Sequence, residues 1–461
     1  VEGTLQIGAS HAAGVGVLAL VGGRLSGSDA ATTRTLSGPI AVTGAVNIGD
    51  PVLTAPLVFS GNVALGASAA MTVDSALTLS GSITESGGAR SFVRSGPGDL
   101  TLSGSGVYSG DTVLNQGVTR LGSVTAIPSG TGKGVVVMNA GASSAATLDL
   151  AGLSIALNGI NGADGTVKAR VVNDAVGTES VLTLGGANTS SSFAGVIADH
   201  SGLGGTVRVR KTGSGVMTLS GVNTYSGSTV IEAGTLALSG NGALSSSTLE
   251  VRQGAVFDVS GESTEFTLTT GQTLQLAGTV VGPMQVGAGA ILNPARSGLG
   301  SVSTGGLTVG GTVAVRLGAP GTVASPGASD RVLVTGDVTI NPGSVLALAD
   351  NGNASGAGSM AAGRYQIMTY SGSRTGTFAS VTRPTGSVLH EKVSMDDAAG
   401  ASYVDLYRQA SGGVAANALA LAAVRVGSPF VAKPVVVKNE AAADGFSEKL
   451  DASLTAITGD A

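Results

Sequence analysis

Residues 212–238 read TGSGVMTLSGVNTYSGSTVIEAGTLAL, and 117 positions earlier residues 95–121 read SGPGDLTLSGSGVYSGDTVLNQGVTRL. The two stretches align without a gap. Gly96 falls on Gly213, Gly98 on Gly215, Leu102 on Leu219, Gly104 on Gly221, and Tyr108 on Tyr225. Gly110 then falls on Gly227, Val113 on Val230, and Gly117 on Gly234. A weaker relative, LTLGGANTSSSFAGVI, stands between them at 182–197. Glycines that recur at the same turns imply one backbone path followed more than once. The apolar residues between them imply coils stacked on a shared core.

The rest of the chain fits short strands closed by turns. LTLSG at 77–81 and 100–104, VLTLGG at 181–186, MTLSG at 217–221 and TLQLAG at 273–278 all alternate apolar and polar before a glycine. Helical periodicity is almost absent before residue 410. Glycine supplies 75 of 461 residues, tryptophan is absent and aromatics make up 3%, which suits a thin body with many turns better than a thick globular core. Hydrophobic residues reach 42%, which excludes a disordered chain.

Several function classes fall away on composition. A net charge of −5 leaves no basic face for nucleic acid. The nearest basic run, TVRVRK with Arg208, Arg210 and Lys211, reads as a strand with Val207 and Val209 inward and the two arginines outward. With no cysteine there is no disulfide and no thiol chemistry, a composition compatible with export. The most apolar runs, 12–23 and 414–426, are too short to span a bilayer as helices. Val1 already opens a strand-like VEGTLQIG, so the chain reads as a mature or excised product.

The copy at 211–236, with its K-T-G-S-G, T-L-S-G and N-T-Y-S-G elements, is similar to the autotransporter-associated β-strand repeat of bacterial autotransporter passengers and related surface proteins. The copy at 94–121 follows the same pattern, with Val107 where Thr224 stands. FAGVIADHSGLGG, GTVVGPMQVGAGAILNPA, DRVLVTGDVTINPGSVLAL and GRYQIMTYSGSRTGTF extend the resemblance over about residues 75–408. It implies a right-handed parallel β-helix at the cell exterior. The long amphipathic strands of the family's membrane barrel are not legible here.

The expected organisation is a strand-rich cap or first coils over 1–75 and a solenoid over 76–325. Final coils would occupy 326–408, and a mixed strand and helix tail 409–461. In the tail, Val435, Val436 and Val437 form a strand after Pro434, while Phe446, Leu450 and Leu454 share a helical face. These six residues could dock on a neighbouring subunit by strand addition.

No catalytic, metal or cofactor cluster is expected. His11, His200 and His390 lie far apart in loop-like contexts. GASHA at 8–12 lacks the second glycine of a nucleophile elbow, and GTGKG at 130–134 lacks the hydroxyl residue of a phosphate loop. Asp396 and Asp397 are the only adjacent acids, read as a solvated turn. Asp350 opens a poor match to a calcium loop. The expected function is a non-catalytic extracellular scaffold or adhesin that self-associates into fibres or binds a surface partner. The alternatives are a cleaved passenger with a host receptor and a polysaccharide-active enzyme on the same fold.

Overall fold

In a computed structural model of the chain, the leucine triplets stand directly on one another. Leu36 pairs with Phe59, Phe59 with Leu79, Leu79 with Leu102 and Leu102 with Leu121, all in parallel register. The first and third residues of each triplet point inward and are buried, while the middle one points out. The period of two explains this, because side chains alternate across a strand and only one face meets the core. Burying each Leu, Phe or Met contributes roughly 1.5–3 kcal/mol before the entropy of ordering is subtracted. One cluster of buried side chains runs from Ile7 to Val404, so the coils share a single core.

The structure describes residues 3–141, 144–162, 168–294, 299–319, 321–322, 324–350, 363–383, 389–396 and 400–408. All of these lie in a unit spanning Val1–Ser411; a second unit, Gly412–Ala461, falls outside the described residues. Val435, Val436, Val437, Phe446, Leu450 and Leu454 therefore lie outside them as well. Among the described residues every element is a strand, and no helix is long and apolar enough to cross a membrane.

Each coil has three faces, and parallel pairing begins at once with Thr4–Ile7 on Arg24–Gly27. The first face is an eight-stranded sheet from Thr4–Ile7 to Ile160–Asn161. It continues where Gly162 bridges Phe193, through Ser191–Phe193 and Val216–Leu219. The second face runs from Arg34–Leu36 to Val196–Ile197. It passes on to Val222–Asn223, where Thr224 N–H donates to Ile197 O at 2.9 Å. The third face has four strands up to Ile83–Glu85, and loop segments around Gly106 and Thr125 continue it. Ile155–Leu157 then opens a ten-stranded sheet on that face.

This layout adds something that the alignment of the two copies does not show. In the first copy, Phe92–Ser95 lies on the first face and Leu100–Leu102 on the second. In the second copy, Thr206–Lys211 lies on the third face and Val216–Leu219 on the first. The local path is repeated, but it is stepped round the axis by one face. The 117-residue offset is not a whole number of turns.

The last described coils also differ from expectation. Residues 389–408 do not form a further parallel coil. Gly363–Tyr370 pairs antiparallel with Ala401–Arg408, which pairs antiparallel with Leu389–Asp396. This hairpin covers the growing edge of the sheet, where another parallel coil would otherwise have to satisfy the free backbone groups. Arg364 anchors it through Asp405 at 2.9 Å and lies over the Tyr403 ring at 4.6 Å. Asp396, read in sequence as part of a polar loop, is the last residue of a strand. Asp397 lies outside the described residues.

Candidate functional site

The repeat residues assemble two equivalent inner sites. Tyr108 and Tyr225 are fully buried, and each hydroxyl meets a threonine four residues on: Thr112 at 2.6 Å and Thr229 at 2.5 Å. Desolvation raises both phenol pKa values, so both rings stay neutral. Tyr108 also packs on Phe92, with ring centroids 6.1 Å apart. The two sites differ in one respect. Thr229 has a second partner, the Ser246 hydroxyl at 3.0 Å, whereas the Tyr108 hydroxyl is the partner shown for the Thr112 hydroxyl.

A differential effect is expected from that asymmetry. Tyr225→Phe leaves Thr229 bonded and should cost about 1 kcal/mol, the net worth of one hydrogen bond. Tyr108→Phe strands a buried hydroxyl and should cost about 1–3 kcal/mol. Urea melts of the two single variants, with exchange protection around each tyrosine, would check this. Equal losses would contradict it.

A buried cation accompanies each tyrosine, and both cations escaped the sequence reading. Arg94 and Lys211 are 0% exposed and occupy the same repeat position. The Arg94 guanidinium donates to Gly96 O at 2.9 Å, to Gly98 O, and to Val118 O at 3.3 Å. Lys211 Nζ donates to Thr212 O at 2.6 Å, Gly213 O at 2.9 Å and Ala233 O at 3.2 Å. Each cation thus gathers the carbonyls of its own glycine turn and of the turn in the next coil. Burial pushes Arg94 down to about 10 and Lys211 down to about 8. Both remain charged at neutral pH, so all their donors are available. Arg208 and Arg210 do point outward, as the alternation implies, but Lys211 continues it inward.

The repeat glycines serve these turns. Gly213 and Gly234 have φ of 66° and 65°, a left-handed backbone that glycine adopts without steric cost. Gly96 and Gly117 repeat that conformation in the first copy. Elsewhere the requirement is space. A Cβ at Gly104 would collide with Gly81 O, and one at Gly221 with Gly195 O. At Gly98, Gly110, Gly215 and Gly227 it would also strike the backbone of the coil beneath. Leu102 and Leu219 fill the core between the turns, each buried.

Asn223 extends the second copy. Its Oδ1 accepts from Ile197 N–H at 3.0 Å, and its Nδ2 donates to Gly221 O at 2.8 Å and Ala243 O at 3.2 Å. The first copy has Gly106 at that position, which gives no side-chain bond. Of the histidines, His11 is hydrogen-bonded to Ser37 Oγ at 2.9 Å, and His200 lies in a separate turn. The side chain of His390 lies outside those described. Among the described residues no three His, Cys, Asp or Glu side chains converge as metal ligands would.

Carboxylates fasten the coil corners from outside. Asp29 accepts the Thr32 and Ala31 N–H groups, Asp50 those of Leu53 and Val52. Glu85 takes the Ser109 hydroxyl and N–H, and Asp337 takes both groups of Ser373. These bonds hold all four carboxyls below their ordinary range, Asp29 at about 2. A depressed folded-state pKa gives stability that is present above the unfolded value, 3.8 for Asp29 and Asp337 and 4.5 for Glu85. It is lost as pH falls through the folded value. Melting temperature should therefore drop between about pH 4 and pH 2. A Glu85→Gln, Asp337→Asn double variant should show a shallower drop in the same melts.

Residues 92–121 and 209–238 each match the family model of the passenger-associated-transport-repeat. No curated protein matches the chain. Two such repeats on a parallel β-solenoid fit an autotransporter passenger-like β-helix protein. The repeat and the fold together support a surface-associated passenger domain.

Proposed function

We propose that this solenoid is a non-catalytic scaffold or adhesin displayed outside the cell, and that copies associate with one another or with a surface partner. The observation that carries this reading is where the repeats spend their distinctive residues. Tyrosine, cation, leucine and glycine all face inward and build coils, so the repeat maintains a rod and leaves the outer faces free to vary. Those outer faces are mostly threonine, serine, alanine and valine, with an ion-paired row of Arg208–Glu179 and Arg210–Glu232–Arg252 on the third face. A rod of this kind gives length and exposed area without chemistry of its own.

Antibody labelling of intact cells that express the gene, together with sedimentation and electron microscopy of the purified full chain, tests the reading. Surface labelling with concentration-dependent association, or with saturable binding to cells, is expected. Label reached only after lysis would overturn display. Monomers at every concentration with no cell binding would overturn the scaffold and adhesin roles.

A further inference from the structure

The antiparallel hairpin moves the open edge of the first face outward without removing it. Leu389–Asp396 ends that sheet, and among the described residues no strand pairs with its far side. Every other strand that ends a sheet has two to four residues, whereas this one has eight. Its ladder with Ala401–Arg408 runs without a register shift, and no glycine or proline interrupts it. Sheets commonly guard an edge by keeping it short or by placing a proline or a bulge in it. This edge has none of these guards.

The direction of its backbone groups follows from the bonds at the two ends of Gly363–Tyr370. Arg364 N–H donates to Gly321 O at 3.0 Å, and Arg364 O accepts from Gly327 N–H at 2.7 Å, both away from Ala401–Arg408. Tyr370 N–H donates to Gly400 O at 2.8 Å, toward the other side. Backbone groups alternate along a strand, so Ser402, Val404 and Leu406 bond back to Gly363–Tyr370. Tyr403 and Asp405 then bond to Ser394 and Lys392. The N–H and C=O groups of Leu389, Glu391, Val393 and Met395 are left pointing out of the sheet.

The segment AKPVVVKNE at 432–440 matches this edge in one antiparallel register. With Val436 opposite Val393, a β-branched residue lies beside one already packed against the core. Lys438 then shares a rung with Glu391, and Lys433 shares one with Asp396, so opposite charges fall on both sides. Sliding the segment by two residues either way loses both charge pairs. Pro434, which has no N–H, starts the strand, a position that sheets accept.

We propose that Lys433–Lys438 of one copy adds as a strand to the free edge of Leu389–Asp396 in a second copy. Main-chain hydrogen bonds supply the affinity and the charged rungs fix the register. The donor enters beside Asp396, at the end of the edge remote from Arg408, where the acceptor's own chain leaves the sheet. A second copy presents the segment there without the return crossover that one chain would need. Each copy has one donor and one acceptor, which makes the contact head-to-tail. The inference deepens the self-association reading by naming the interface, and rests on it only in requiring that copies meet.

The chain has no cysteine, so introduced thiols report the contact cleanly. Lys392→Cys and Val437→Cys share a rung in this register, at a pair whose Cα separation of about 4.5 Å is within disulfide reach. Mixed as folded full chains and oxidised with glutathione disulfide, the two variants should give a cross-linked heterodimer. Lys392→Cys mixed with Glu440→Cys, which lies off that rung, should not. Val436→Pro changes the donor alone and should weaken association in sedimentation about tenfold or more. No heterodimer, or equal yield with Glu440→Cys, would overturn the inference. So would association unchanged by Val436→Pro, or a doubly substituted chain that closes its own disulfide at every dilution. Copies that associate without this cross-link would sink the interface and leave self-association standing.

Discussion

Gly221→Val should open the solenoid locally and cost about 4 kcal/mol or more, at the exceptional end of single substitutions. Overpacking a core normally costs about 1–3 kcal/mol because side chains shift to make room. Here the obstacle is backbone. A Cβ at residue 221 lands against the carbonyl of Gly195, with Ala194 O and Gly195 C close behind. That carbonyl belongs to the coil below, which is fixed in turn by its own ladder. Relief requires the two coils to part, which breaks the Asn223 bond to Ile197 as well. Since each coil touches only its neighbours, the damage should stay local. Hydrogen exchange should show lost protection over about residues 193–244 while the coils around Leu57–Leu102 stay protected. Val222, 51% exposed and next in sequence, supplies the control: Val222→Thr should change little. If Gly221→Val melts like the parent, the close stacking of the glycine corners is wrong.

Lys211→Met should cost roughly 2–4 kcal/mol, and Lys211→Arg much less. Two effects oppose each other. Removing a buried ammonium relieves its desolvation, which by itself favours methionine. Against that, the carbonyls of Thr212, Gly213 and Ala233 lose their donor together, and being backbone they cannot be replaced by anything apolar. Orphaned buried acceptors cost about 1–3 kcal/mol each when no water reaches them, so the loss outweighs the relief. Arginine is the informative comparison, because Arg94 already performs this task at the same position of the other copy. Denaturant melts of the three proteins, with exchange rates at Ser214 and Thr235, give the answer. A methionine variant as stable as the parent would show that the cation is a passive resident of the turn.

Much of this fold can be read from residues. Alternation in LTLSG-type segments identifies strands, and the glycine register of the two copies identifies stacking, because both follow from local geometry. The recurrence of Tyr108 and Tyr225 at one repeat position was legible too, but their full burial against Thr112 and Thr229 was not. The buried cations were not. A charged residue at the end of TVRVRK looks solvated by composition, and only the strict alternation from Val207 through Val209 points Lys211 inward. The repeat pattern itself held the signal, for arginine and lysine precede the same glycine turn in both copies. The one-residue slip between Thr235–Gly240 and Val256–Glu262 was not legible, because it alters pairing and not composition. Nor was the antiparallel finish at 389–408, since the direction in which a strand pairs leaves no mark on its residue pattern.

The one-face step between the copies bears on how such a chain can grow. A rod whose three sides were unlike would accept new material only in whole circuits, since any other length would bring a mismatched side onto the existing stack. Here VMTL of the later copy continues the column that held FVRS of the earlier one, and the core closes over both. The sides are near enough to interchangeable that a third of a circuit can be gained or lost. The smallest heritable brick is then one strand with its corner, about eight residues, not a full circuit. Insertions of that size should be far better tolerated than their length suggests, and each would turn everything beyond it through a third of a revolution. Any ligand that reads two distant coils at once would sense that change, while the coils themselves would not.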